Sequence, residues 1–263
     1  MTNAPNFLRS SVHYETIVGS RAYGVERTSG EESSDFDLFG FAIPPKEMIY
    51  KHLTDWVPGF GEEPPGFAQW EQHHICDTSA GFRRDWDVQI YSIVKYFELC
   101  RLNNPNLIDS LFTPEHCILH CTQIGQMVRD NRHKFLSKLC WTRIRGFAIL
   151  ELKRIAEKNT TGNRLEMIKR FGYDVKSAYH IVRLFDEAEQ ILIDGDLDLQ
   201  RCRELMTAVR RGDWREDELR LWIAEKQSTL ESAYCRSRLP ESPPIEPLRR
   251  LLVDCLEQHY GAS

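Results

Sequence analysis

The sequence predicts an α+β protein: a small mixed β-sheet part in front and an all-helical part behind it, meeting near residue 135. Three observations carry this expectation. In the first hundred residues three short runs read as strands: HYETIVGS alternates weakly, FDLFGFAIP is rich in β-forming residues, and DVQIYSI alternates. From about Ser92 the apolar spacing changes to three and four, the period of amphipathic helices, and keeps it to the end. The composition is ordinarily globular, with 41% hydrophobic and 28% charged residues among 263, so the chain can bury a proper core. The expected division is therefore 1–135 and 136–263.

Each element follows from local chemistry. HYETIVGS closes on Gly19-Ser20, and FDLFGFAIP stops at Pro44-Pro45. Tyr50 to Asp85 is rich in Gly, Pro, aromatics and charge, too long for a plain connection, and reads as a functional loop or a mobile lid. DVQIYSI alternates again. IVKYFELCRL and the run from Ile124 to Lys158 then read as helices, and NTTGN at 159–163 breaks the pattern. RLEMIKRFGYDVKSAYHIVRLFDEAEQILI is a second helical run, interrupted near Gly172 and ended by DGD at 194–196. LQRCRELMTAVRR, DELRLWIAEKQSTLESAY and, after PESPP, PLRRLLVDCLEQHY complete the helices.

Several function classes are disfavoured. The opening MTNAPNFLRSSVHYE lacks the apolar core of a signal peptide, and nothing downstream approaches ~18 uninterrupted apolar residues. The expectation is a soluble cytoplasmic protein without a membrane partner; the oligomeric state is left open. The eight cysteines read as reduced core thiols. HHIC (His73, His74, Cys76) and HCILHC (His116, Cys117, His120, Cys121) could together make a zinc site, but no paired C-x-x-C is present and packing is the plainer reading. A net charge of -5 argues against general nucleic-acid binding. That charge is uneven: Glu31–Asp87 holds 12 acidic against 4 basic residues, and Lys138–Arg170 holds 9 basic against 3 acidic. An acidic segment followed by a basic one suits a metal site facing a phosphate-binding wall; two solvated surfaces of opposite sign fit equally well.

The chemistry concentrates in IVGSRAYGVERTSGEESSDFDLFGF, Ile17 to Phe41. Gly19-Ser20 closes one strand, and Asp35-Phe36-Asp37 opens the next. Residues two apart on a strand share a face, so both carboxylates project into one pocket ~6–7 Å apart. Such a pair can share magnesium ions, which take oxygen ligands. A glycine lets backbone approach a phosphate, and a serine offers a hydroxyl and an N–H. Two-metal phosphoryl transfer needs a further carboxylate on the attacking side. Asp87, at the head of DVQIYSI, is the candidate; Asp85, on the same face, is the substitute.

Gly-Ser, then Asp-x-Asp, then a third strand-borne Asp resembles the DNA polymerase β-like nucleotidyltransferase superfamily. GSRAYG followed by SSDFD resembles its group of predicted nucleotidyltransferases encoded beside RNA ligases in RNA-repair operons. DVQIYSIVKYFELCRLNNPNLIDSLF and FGYDVKSAYHIVRLFDEAEQILIDGDLDL are similar to that group's later motifs, so the likeness spans roughly 13–235. A mild departure is Asp109, where many relatives would carry Glu; the sequence assigns it no role. The resemblance implies a magnesium-dependent transfer of a nucleoside monophosphate from a nucleoside triphosphate, ATP among them, to an acceptor hydroxyl, with manganese as an alternative ion. It implies that Asp35, Asp37 and Asp87 bind two metal ions and that Gly19 and Ser20 hold the triphosphate. Arg21 would reach a phosphate or form a surface ion pair, and Tyr23 would pack the turn or touch the nucleotide. Ser34 borders the nucleotide site, and is most simply a turn residue. An RNA or tRNA end, a small molecule or a protein hydroxyl are the acceptors this leaves open; a nucleotide-binding module without turnover is the rival reading.

The second motif adds an independent argument. On a helical wheel Lys176, His180 and Arg183 fall within about 80° of Tyr173, and Val175, Ala178, Val182 and Phe185 lie opposite. A basic face of this kind suits the triphosphate tail or leaving pyrophosphate, with Lys176 at the position of the group's lysine. His180 could equally be a packing histidine, and Arg183 a structural pair with Asp174 or Asp186.

Overall fold

The computed structural model describes residues 4–25, 36–77, 84–157 and 163–261. Its chain order is α1 (Leu8–Ser11), β1 (Val12–Val18), β2 (Phe36–Ala42), α2 (Lys46–Ile49), β3 (Gln69–Asp77), β4 (Arg84–Ser92), α3 (Ile93–Arg101), α4 (Pro105–Phe112), β5 (Ile118–Cys121) and α5 (Gln123–Asp130). After these come α6 (Leu139–Glu157), α7 (Asn163–Phe171), α8 (Val175–Asp194), α9 (Arg203–Arg211), α10 (Glu216–Arg236) and α11 (Ile245–Gly261). The protein is α+β, a five-stranded mixed sheet followed by helices.

The sheet runs β3-β4-β2-β1-β5. β2 and β4 pair in parallel; the other neighbours are antiparallel. Two strands lie where the sequence suggested none. β3 occupies part of the Tyr50–Asp85 stretch read as a loop or lid, and pairs along β4. Its alternation is interrupted by a bulge between Gln72 and Ile75, where two histidines occupy the place of one ladder residue. β5 is the four residues of ILHC, too short to show a period.

The two faces of the sheet meet different partners. Leu38, Ala42, Val88 and Ile90 pack with Leu8 of α1, with Phe67, Trp70 and Ile75 against them. The opposite face, with Tyr14, Phe41 and Tyr91, joins the main core, which runs without interruption past residue 135 into the helices. α4 is pinned beneath this face: the Tyr14 hydroxyl donates to the Ser110 carbonyl at 2.7 Å, Tyr96 meets the Ser110 hydroxyl at 2.6 Å, and Thr16 meets Thr113 at 2.6 Å. Burying these polar groups is tolerable because each finds a partner.

α8 is the hub of the helical part, packed by α6, α7, α9 and α10. Asp174 caps its start by accepting the Lys176 and Ser177 N–H groups, and Gly195 in left-handed conformation ends it. Leu192 and Ile191 are buried, as are Tyr179, Arg183 and Glu187, so α8 has no wholly solvated face. No helix among the described residues is long and apolar enough to cross a membrane.

α11 closes over the start of β1. His13 Nε2 lies 3.0 Å from His259 Nδ1, His13 Nδ1 lies 2.8 Å from the Thr122 hydroxyl, and Tyr260 donates to the Pro44 carbonyl at 2.5 Å. Burial, then the neighbouring His259 and His120, lower the His13 pKa to about 4. The folded protein thus holds His13 neutral while the unfolded chain takes up a proton below about 6.5. Stability from this site is present above that value and is lost as pH falls toward about 4. Urea unfolding at pH 7 and pH 4.5 should show a pH-dependent loss in wild type that is smaller in His13→Asn by about 1 kcal/mol, discounted for solvent screening.

Candidate active site

The parallel pairing of β2 and β4 sets Asp37 directly beside Asp87. Register partners share a face at the ~4.8 Å strand spacing, so both carboxylates emerge together at the end of the face that carries Phe41 and Tyr91 into the core. Both are partly exposed. The apolar neighbours enforce this alignment: Phe36 and Trp86, paired one step earlier, stack at 4.4 Å on the other face.

On the other side of β2, Val18 pairs with Asp37, and the chain turns at Gly19 with φ of 72°. A Cβ at Gly19 would stand 2.6 Å from Asp37 Oδ2. The glycine therefore permits both the left-handed turn and the carboxylate's approach. The turn is closed by Tyr23 N–H to the Gly19 carbonyl (3.2 Å), Gly24 N–H to Arg21 (3.0 Å) and Val25 N–H to Ser20 (2.9 Å). Ser20 sits half-buried in it. Arg21 lays its guanidinium over the Phe36 ring at 3.6 Å.

Asp87 is held by the bulge of β3. Its Oδ1 accepts the His74 backbone N–H at 2.8 Å, and its Oδ2 lies 3.3 Å from His73 Nδ1. His74 adopts φ of 54°, unusual for a residue with a Cβ. Burial raises the Asp87 pKa, but the His74 N–H and the His73 ring outweigh it, leaving the carboxyl below its ordinary value. Asp87 is thus ionised at neutral pH. Sequence reasoning missed this pair of donors; the doubled histidine opposite an alternating strand was the available signal. Asp85 lies one pleat earlier on β4, paired with Cys76. Asp35 and Ser34 lie outside the described residues.

The zinc alternative fails on topology. HHIC is on β3 and HCILHC spans β5, at opposite edges of the sheet, about 19 Å apart at the usual strand spacing. Among the described residues no group of three or more His, Cys, Asp or Glu could hold a metal ion. Asp37 and Asp87 are two such oxygen donors, placed side by side and chemically suited to magnesium.

The second motif is distributed differently from the wheel. Tyr173 precedes α8, is fully buried and donates its hydroxyl to the Trp214 carbonyl at 2.9 Å. Lys176 is exposed on the first turn of α8, and His180 is half-buried against Tyr179. Arg183 is buried, and its partners are neither Asp174 nor Asp186: Nη1 lies 3.1 Å from Asp109 Oδ2 and reaches the Tyr23 hydroxyl, and Nε lies 3.5 Å from Glu187. The wheel aligned Arg183 with Lys176 and His180, but α8 is enclosed at the depth of Arg183 and its partners come from other elements.

A family model described as RlaP, the RNA repair pathway DNA polymerase beta family, matches residues 3–242. No curated protein matches the chain. Replacing Gly19 by Ala should force Asp37 aside and strain the turn, at a cost of about 1–3 kcal/mol. Thermal unfolding together with manganese binding checks this; an unchanged affinity for manganese would show that the Gly19–Asp37 approach does not shape the site.

Proposed function

Because the chain belongs to the RNA repair pathway DNA polymerase beta family, we propose that it transfers a nucleoside monophosphate from a nucleoside triphosphate to an acceptor hydroxyl, releasing pyrophosphate. The observation that carries this reading is the Asp37–Asp87 register beside the Gly19-Ser20 turn. Asp37, Asp87 and Asp35 are the residues that would hold magnesium or manganese. Bound there, the ions supply positive charge to the attacking and leaving oxygens of an in-line displacement.

The chain's own groups divide the remaining work. Ser20 offers its hydroxyl and N–H to a phosphate oxygen, and Gly19 allows the close approach. Asp87, ionised and oriented by His74 and His73, is the carboxylate on the acceptor side. Lys176, exposed at the start of α8, offers a mobile cation to the triphosphate tail or leaving pyrophosphate, with His180 one turn deeper on the same face. The sheet part, 1–135, provides the carboxylates and the turn; the helical part, 136–263, provides the opposing basic wall. An RNA or tRNA end is the acceptor favoured by the family description and by the basic Lys138–Arg170 stretch.

Incubating the protein with each α-labelled triphosphate, magnesium and total RNA or cell extract should move label into RNA. Label in protein or small molecules would redirect the acceptor, and no transfer despite triphosphate binding would leave a nucleotide-binding module. Asp37→Asn and Asp87→Asn should each lower transfer by at least about 100-fold with unfolding temperature kept. Asp85→Ala should retain activity; if it abolishes transfer while Asp87→Asn does not, the acceptor-side carboxylate is Asp85. Lys176→Ala should raise KM for the triphosphate about tenfold, and an unchanged KM refutes its phosphate role.

A further inference from the structure

The turn that presents Gly19 and Ser20 is held chiefly from outside the sheet. Tyr23, 3% exposed, donates its hydroxyl to Asp109 Oδ2 on α4 and accepts from Arg183 Nη1 on α8. Arg183 reaches the same Asp109 oxygen at 3.1 Å, and its guanidinium carbon lies 4.9 Å over the Tyr23 ring. The residues around Tyr23 are held the same way. Gln200 donates to the Ala22 carbonyl at 3.2 Å, Arg210 to the Val25 carbonyl at 2.6 Å, and the Arg203 side chain lies against Gly24. The Tyr23 and Val25 N–H groups in turn bind the Gly19 and Ser20 carbonyls. Whatever fixes 22–25 therefore fixes the position of 19–20.

We propose that Arg183 and Tyr23 are positioning residues: joined through Asp109, they lock the Gly19-Ser20 turn from the helical part and do not themselves touch the nucleotide. This rests on the reading of Gly19-Ser20 as the triphosphate-holding turn. A buried guanidinium is costly to desolvate and is a poor general stabiliser; here its planar fork serves a hydroxyl and a carboxylate from two separate elements. Asp109 lies 3.1 Å from Arg183 Nη1 and Glu187 lies 3.5 Å from its Nε, so two buried carboxyl groups share one guanidinium. Arg183 stands seven residues beyond Lys176, two turns or about 10 Å along α8. The helix that offers an exposed lysine at its start thus grips the phosphate-side turn further along.

The test uses the full chain and Tyr23→Phe, which keeps the buried ring and removes only the bridging hydroxyl. Hydrogen exchange of residues 19–25, measured without nucleotide, should accelerate about tenfold or more, with exchange in α10 unchanged as the reference. Arg183→Lys, which keeps the charge and loses the fork, should do the same, and Gln200→Ala should produce a smaller increase. If Tyr23→Phe destabilises the whole fold, α10 will accelerate too, and Gln200→Ala then decides. Equilibrium dialysis with labelled ATP and manganese should show Kd raised about tenfold in Tyr23→Phe. Unchanged exchange in 19–25 overturns the positioning role, and faster exchange with unchanged Kd overturns its link to the nucleotide. Wild-type protein that binds no triphosphate would overturn the nucleotide reading, and the exchange comparison would then judge the lock by itself.

Discussion

The site depends first on one alignment: Asp37 and Asp87 face each other across a parallel strand pair, with Gly19 against Asp37 on the far side. Sliding either strand by one residue would carry its carboxylate to the opposite face. The register is held by apolar packing, with Phe36 on Trp86 and Leu38, Val88 and Ile90 beneath α1. Hydrophobic burial, which is not directional, becomes directional here through the strand period. The carboxylates stand where the core sets them, and their like charges are left at the open end where ions and solvent reach them.

The helices supply what a five-stranded sheet cannot. One core runs from Tyr14 and Phe41 to Leu256 without a break at residue 135, so the chain packs as a sheet with helices folded onto one face of it. α4 links the two parts, with Ser110 held by tyrosines of the sheet and α3, and Asp109 held by Tyr23 of the turn and Arg183 of α8. Asp109, to which the sequence assigned no role, is thus the polar junction of three elements.

What was legible in the sequence followed from unbroken periods. β2 is a short β-rich run and β4 alternates, with Asp37 and Asp87 near their starts, so these carboxylates could be assigned to one face; α9, α10 and α11 keep helical spacing, and α9 stops at Gly212. The rest broke the rules on which reading depends. β3 was hidden because His73 and His74 share one ladder position, which interrupts the alternation, and because Gly- and Pro-rich residues lead into it. Arg183 was read as part of a basic phosphate-facing stripe or as a pair with Asp174 or Asp186, whereas Tyr23 and Asp109, 160 and 74 positions away along the chain, supply its partners. No local pattern carries a contact of that separation. Asp35 and Ser34 lie outside the described residues, so the first carboxylate of the Asp-x-Asp pair remains assigned by sequence alone.

The account is tested most directly by diffraction from crystals grown with manganese and a non-hydrolysable triphosphate, using the anomalous signal to locate the ions. The arrangement predicts manganese between the Asp37 and Asp87 carboxylates, with a phosphate oxygen on the Ser20 hydroxyl or N–H. Manganese bound elsewhere, or a triphosphate seated away from the Gly19-Ser20 turn, would contradict it.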